Sequence, residues 1–223
     1  MTTDDIFKII DYATNKNQNG SLKAEDFNRI LPLAESGFIS YLLGSFQTYQ
    51  VGRPISKVEL GQNSVVRQRL SPIIKRANLT VNGAGFSPYP TRYIQADAMW
   101  TDSTSYKRIR WCDQDRWYSK VNSVIDKVLS KPIYMINDTG FEFAPRTIGT
   151  ASLSFIQQPL PITWAFTLDV NQRRVYDATN SVQPVWNDVA ILEIIVRALA
   201  LVGINLQLRV VENYSQIIKT QGQ

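Results

Sequence analysis

The first apolar positions of the chain, Ile6, Ile9, Ile10 and Ala13, recur at the three- and four-residue spacing of an amphipathic helix. Thr3 stands where a side chain would cap its start. Asn17, Asn19 and Gly20 then interrupt the pattern. A longer one-sided stripe follows over 23–49, built from Phe27, Ile30, Leu31, Ala34, Phe38, Tyr41 and Leu42, with Phe46 and Tyr49 as its continuation. At 1.5 Å per residue such a helix reaches about 40 Å, and Pro32 inside it predicts a bend or a local break. A helix of that length in a small protein packs against neighbours, which can belong to other subunits. Gly52-Arg53-Pro54 ends it, and Asn63 opens a short third helix through Val65, Val66 and Leu70 that stops near Ser71-Pro72.

From there the period changes from helical to strand-like. Residues 73–81, 93–100 and 108–111 read as strands, and Asp113 caps a short helix reaching 124. Asn137-Asp138-Thr139-Gly140, between the apolar runs 133–136 and 141–143, is a hairpin signal. Asp169-Val170-Asn171-Gln172, between 162–168 and 173–176, is a second, and 152–156 is a further strand. Residues 185–202 turn helical again, with Val189, Leu192, Ile195, Ala198, Leu199 and Val202 on one side. Ile191 and Ile194 widen the arc, which predicts burial on more than one face. Gly203 suits the C′ position, and a last helix over 210–219 carries Tyr214, Ile217 and Ile218. The expected fold is α+β: a helical segment 1–75, a β-rich middle 76–182 of antiparallel hairpins, and C-terminal helices 183–223 packing back on the N-terminal ones, as one compact unit.

Composition narrows the chemistry. The 223 residues contain no histidine and one cysteine, Cys112. Histidine-based nucleophile systems and zinc sites are excluded, and no internal disulfide can form. Walker and dinucleotide-binding glycine motifs do not occur; Asn82-Gly83-Ala84-Gly85 runs into Phe-Ser-Pro-Tyr-Pro and reads as a loop. Carboxylate pairs survive this test, with Asp113, Asp115 and Asp126 as candidates, but Asp113 is better explained as a cap and Asp126 lies beyond the helix. No enzyme activity and no cofactor are expected. The start of the chain is acidic, unlike a signal peptide, and no apolar run is long enough to span a membrane. The net charge of +5 is spread without a run of five like charges, so it reads first as a solvated surface.

Residues 15–26 have the outline of a calcium loop. Oxygen-bearing side chains fall at Asn15, Asn17, Asn19, Ser21 and Asp26, with Gly20 at the sharp turn. Only Asp26 is anionic, it is shorter than the usual bidentate Glu, and Lys16 and Lys23 add repulsion. A helix–turn–helix connection accounts for the same Asn and Gly residues. Aromatic residues Tyr89, Tyr93, Trp100, Trp111, Trp117 and Tyr118 interleave with Arg92, Lys107, Arg108, Arg110 and Arg116. That pattern suits core packing or a subunit interface, with binding of single-stranded nucleic acid as the alternative function.

Four stretches, in order along nearly the whole chain, carry a resemblance: NKNQNGSLKAEDFN with ESGFISYLLGSFQTYQ; LSPIIKRANLTVNGAGFSPYP to YIQADAMWT; SVIDKVLSKPIYMINDTGFEFAPRTIGTASLSFIQQPLPITWAF; and ILEIIVRALALVGINLQLRVVENYSQIIKTQGQ. They resemble structural proteins of crAss-like and related marine podoviruses, in the group that forms rings between portal and tail. The resemblance implies a virion head–tail connector or adaptor, assembled in the host cytoplasm. It would form a ring of about 12 copies, touching the portal and a neighbouring tail ring, with DNA passing through without sequence recognition. It brings no catalytic motif. The residues offered for the ring contact are Phe27, Ile30, Leu31, Phe38, Tyr41, Leu42 and Phe46.

Overall fold

A computed structural model describes residues 1–16, 22–44, 64–101, 107–123 and 131–202. The chain is α+β, with N-terminal helices packed on a C-terminal helix and antiparallel sheets in the sequence between them. Its contacts divide it into two compact units, Met1–Ile55 with Leu160–Gln223, and Ser56–Pro159.

In the first unit, helix α1 spans Thr3–Lys16, α2 Ala24–Leu42 and α5 Asp188–Leu201. The start of α1 corrects the sequence reading. Thr2, not Thr3, is the cap: its hydroxyl accepts from the Asp5 backbone N–H (3.2 Å), and the Asp5 carboxylate accepts from the Thr2 backbone N–H (2.9 Å) and hydroxyl (2.7 Å). This is a reciprocal capping box with an Asp at its third helical position. Those hydrogen bonds hold the Asp5 carboxyl below its ordinary pKa. Thr3 is buried, and its hydroxyl donates to the Val182 carbonyl at 2.9 Å.

Helix α2 passes through Pro32, which removes the bond to the carbonyl of Asn28 without ending the helix. It ends at Leu42, earlier than expected. Gly44 takes a φ of 81°, and its N–H returns to the Tyr41 carbonyl, a left-handed helix stop. The continuation to Phe46 and Tyr49, the Asn63 cap, Gly203 and the helix over 210–219 lie outside the described residues. Helix α5 is capped by Asn187, whose side chain accepts from the Ala190 N–H.

Residues 160–187 join this helical unit. They carry the short hairpin of β8 (Phe166–Leu168) and β9 (Arg174–Tyr176), at the predicted place. Asp169 closes its turn by accepting from the N–H groups of Asn171 and Arg173, both at 2.8 Å. Trp164 is the hub. Its ring stacks on Phe7 at 4.3 Å and on Phe166 at 5.5 Å, and its Nε1 donates to Asp4. Its main chain exchanges two hydrogen bonds with the Asn28 side chain, at 2.7 and 3.1 Å.

The second unit opens with helix α3 (Ser64–Leu70) and a 3-10 turn, Ser71–Ile73. Strands β1 (Ile74–Thr80), β7 (Thr150–Gln157) and β3 (Tyr93–Thr101) form an antiparallel sheet with β7 in the centre. A second sheet runs β2 (Phe86–Pro88), β6 (Gly140–Ala144), β5 (Ile133–Ile136), β4 (Arg110–Trp111). Its hairpin β5–β6 turns at the predicted Asn137–Gly140, while β4 joins β5 in parallel. One apolar cluster draws Leu79, Met99 and Leu153 from the first sheet and Tyr134, Phe141 and Phe143 from the second. Two sheets with inner faces sharing a core are the stable way to bury both. Helix α4 (Gln114–Asn122) sets Trp117 against Cys112, Ile133 and Ala144 in a smaller cluster.

Strand β3 is irregular between Ala96 and Ala98, and the residue between them, Asp97, is largely buried. Its carboxylate is met by both terminal nitrogens of Arg67 (3.2 and 2.8 Å) and by the Ser154 hydroxyl (2.9 Å). A buried carboxylate needs such partners, and they fasten α3 to the sheet.

Candidate functional site

The stripe predicted on α2 serves the chain's own core. Phe27, Leu31, Phe38 and Leu42 are buried, with Phe38 at 0 % exposure. The reason is geometric: α2 packs on α5, Phe27 meets the Phe7 ring edge-on at 5.2 Å, and Phe38 meets the Trp186 ring at 5.2 Å. Ile30 is partly buried and Tyr41 is exposed. Of the seven contact candidates, four are therefore covered within the chain, two keep accessible surface, and Phe46 lies outside the described residues.

Exposed apolar side chains also stand on other elements of this unit. Helix α5 packs on both α1 and α2, as the wide apolar arc in its sequence suggests. Its inward face is apolar, and so is its outward one: Val189, Leu192 and Val196 stand 69, 51 and 40 % exposed, one above the other at three- and four-residue spacing. Single exposed aliphatic residues are ordinary, but three aligned on one helix make a patch. Arg197 borders it, with its guanidinium 4.8 Å from the Tyr41 ring centre and 3.5 Å from Glu193. In the same unit, the β8–β9 hairpin exposes Leu168, Val175 and, at its tip, Val170 at 98 %. Sequence periodicity could not separate the two faces of α5, because apolar residues occur all round it.

Beneath α5 sits a buried acid. Glu35 is 3 % exposed and its Oε1 accepts from Trp186 Nε1 at 2.7 Å. Trp186 in turn meets the Phe38 ring edge-on at 5.2 Å. Burial pushes the Glu35 carboxyl above its ordinary pKa, and the indole hydrogen bond opposes that only in part. The neutral acid is thus favoured in the folded state. Its stabilising share is complete below the ordinary carboxyl pKa and is lost as pH rises through the raised one. Glu35→Gln, which keeps an oxygen for the indole, is expected to raise the melting temperature at pH 7 and to flatten its decline above the ordinary carboxyl pKa. Melting curves over a pH series check this; an unchanged slope would mean that Glu35 titrates normally.

The calcium-like loop is only partly in view. Asn15 is exposed and donates to Asp11 (3.2 Å), and Asp26 is exposed in the first turn of α2. Asn17, Asn19 and Ser21 lie outside the described residues. Asp11, which sequence pattern did not single out, accepts from the Leu22 N–H at 2.9 Å and so ties the end of α1 to the approach of α2. Among the described residues no cluster of three His, Cys, Asp or Glu side chains could hold a metal ion.

The aromatic residues of the middle divide. Tyr89 and Tyr93 stack at 4.6 Å against Phe141, and the Tyr89 hydroxyl donates to the Asn137 carbonyl. Burial raises the pKa of Tyr89, Tyr93 and Tyr134. Trp117 is buried, whereas Trp111 and Tyr118 are exposed. Asp113 occupies the N-cap position of α4 without a side-chain capping bond, Asp115 lies in its first turn, and Asp126 is outside the described residues. Cys112 is buried, its thiol 3.4 Å from the Asp113 carbonyl. Among the described residues no helix is long and apolar enough to cross a membrane.

No protein-family model matches the chain, and no curated protein matches it.

Proposed function

We propose that this chain is a structural subunit of a phage neck or tail ring that joins the portal to the tail. It acts by assembly and encloses part of the DNA path. The observation that carries the reading is the outward apolar face of α5. A closed ring needs a heterologous contact, in which two different surfaces of one subunit meet their counterparts on either neighbour. The α5 stripe of Val189, Leu192 and Val196 supplies one surface, and the exposed aliphatic hairpin with Leu168, Val170 and Val175 supplies a second. A specific interface covers roughly 800 Å² on each partner, more than three aliphatic side chains provide, so each of these surfaces is the apolar centre of a larger contact. The ordered resemblance of four sequence segments to podovirus ring proteins supports the same reading. The net charge of +5 suits a wall past which DNA moves through screened, sequence-independent attraction.

Mass measurement and negative-stain imaging of the full chain test this. The wild type is expected to form closed rings or high-order oligomers, alone or on a purified portal ring. Val189→Glu with Leu192→Glu is expected to leave a folded monomer with unchanged helical circular dichroism. A wild type that stays monomeric at every concentration and binds no portal ring would remove the proposal. So would a double variant that assembles normally.

A further inference from the structure

The second unit contains a cavity of about 880 Å³ between α4, the β5–β6 hairpin and the turn after β6. Its size is within the range of small-molecule sites. Its lining is charged in one sense: Arg110, Lys120, Lys131 and Arg146 face a single carboxylate, Glu142. Across the chain basic and acidic residues stand at 24 to 19, so four to one is a local concentration. Among the described residues, none of the four cations is ion-paired with a carboxylate. Like charges gathered round a concave wall repel one another, and an anion placed among them relieves that repulsion.

Two further features shape the ligand. The floor is apolar, with buried Trp117, Ile133 and Ala144, and Tyr118 of α4, a residue 74 % exposed, also lines the cavity. A flat ring can therefore lie against the wall while its charge meets the rim. The stem of Arg146 lies close to Gly85. Gly85 adopts a φ of 83°, and a Cβ there would meet the Arg146 Cγ at 3.0 Å and the Phe143 carbonyl at 2.9 Å. The Asn82 side chain, accepting from the N–H groups of Ala84 and Phe86 (both 3.0 Å), fixes the turn that brings Gly85 there. The Asn82–Gly85 stretch that reads as a plain loop thus lies against the stem of one of the four cations.

We infer that this cavity binds a nucleotide, a flat base bearing phosphate, either free or as part of a single strand. Phosphate lies among Arg110, Lys120, Lys131 and Arg146, and the base lies on Tyr118 over the Trp117 floor. The inference does not rest on ring assembly, and monomers and rings are both predicted to bind.

Isothermal calorimetry on the full chain at low salt tests it, with adenosine monophosphate, inorganic phosphate and a short oligothymidylate as probes. At least one nucleotide probe is expected to bind saturably and more tightly than inorganic phosphate. Lys131→Glu with Arg146→Glu is expected to weaken that binding tenfold or more. Lys75→Glu with Arg76→Glu, an equal charge change on β1 away from the cavity, is expected to leave it within about twofold. Tyr118→Ala is expected to cost about tenfold through lost stacking, while circular dichroism confirms that each variant is folded. Preference for the oligonucleotide identifies a strand as the source, and equal or tighter binding of the mononucleotide identifies a free nucleotide. The inference is overturned if no probe binds, if inorganic phosphate binds as tightly as the nucleotides, or if both charge-reversal pairs weaken binding alike.

Discussion

Replacing Trp164 with alanine is expected to remove about 3–5 kcal/mol of stability from the helical unit, the cost of truncating a buried large aromatic residue. The estimate belongs at the upper end, because this side chain is 4 % exposed and is shared among elements far apart in sequence. Its ring is stacked on Phe7 of α1 and on Phe166 of the hairpin, and Tyr176 lies 6.1 Å away on the other hairpin strand. Phe7 also meets Phe27 of α2 edge-on at 5.2 Å, so the vacancy would open on both helices. Single domains are stable by only about 5–15 kcal/mol, so the variant should melt many degrees lower and expose hydrophobic surface to a dye. Trp164→Phe separates packing from hydrogen bonding. It keeps much of the stack and loses only the Nε1 bond to Asp4, a loss of about 1 kcal/mol, since Asp4 retains Lys8 at 2.6 Å. A Trp164→Ala protein within about 1 kcal/mol of wild type in urea unfolding would show that Trp164 is not the hub.

None of this centrality is visible in the sequence, where Trp164 is one aromatic residue in a run ending in a hairpin. What the sequence does carry is local. The turn Asn137–Gly140, the turn after Leu168, and the strands at 93–100 and 152–156 all follow from chemistry within a few residues, and the fold uses each of them; α4 does start after Asp113, but without the side-chain capping bond the sequence suggests. Errors arise where local signals compete. Thr2 and Thr3 are both plausible caps, and only the reach of Asp5 back to Thr2 decides between them. The α2 stripe continues past Gly44, but a left-handed glycine ends the helix whatever follows it. Helix α5 is apolar on all sides, so its inward face is set by the partner it meets. The same ambiguity bears on the proposed interface: of the conspicuous stripe on α2, Phe27, Leu31, Phe38 and Leu42 are buried, while Val189 and Leu192, which the periodicity puts on the apolar side of α5, are exposed. The cavity is less legible still. Its four cations come from β4, α4, the approach to β5 and the turn after β6, separate stretches that only the folded chain brings to one lining.

Gly140→Ala is expected to be the most disruptive single-methyl change in the β unit, costing about 3 kcal/mol, the upper end for an overpacked core. Sequence pattern marks Gly140 as a turn residue, which suggests a need for left-handed backbone. The structure gives a different reason. Among the described residues the glycines at positive φ are Gly44 and Gly85, and Gly140 is not one of them. Its constraint is space. Strand β2 crosses it in register, Pro88 opposite Gly140, and an added Cβ would overlap the Ser87 carbonyl oxygen. It would also lie 2.8 Å from the Phe86 ring and 2.9 Å from the Pro88 Cα. Two of those three obstacles are backbone atoms, which cannot rotate aside, so β2 must lift from β6. Phe141, 0 % exposed beside it, would lose its packing with Tyr89 and Tyr93. Gly149 is the matched control: a Cβ there meets nothing within 4 Å and its φ is not left-handed. Gly149→Ala should therefore be neutral or stabilising by up to about 1 kcal/mol through a less flexible unfolded chain. Urea unfolding of the two variants, with amide exchange at Phe143 as the local readout, compares one methyl in two settings. Equal stabilities would mean that β2 does not press on Gly140, and that the glycine is there for the turn after all.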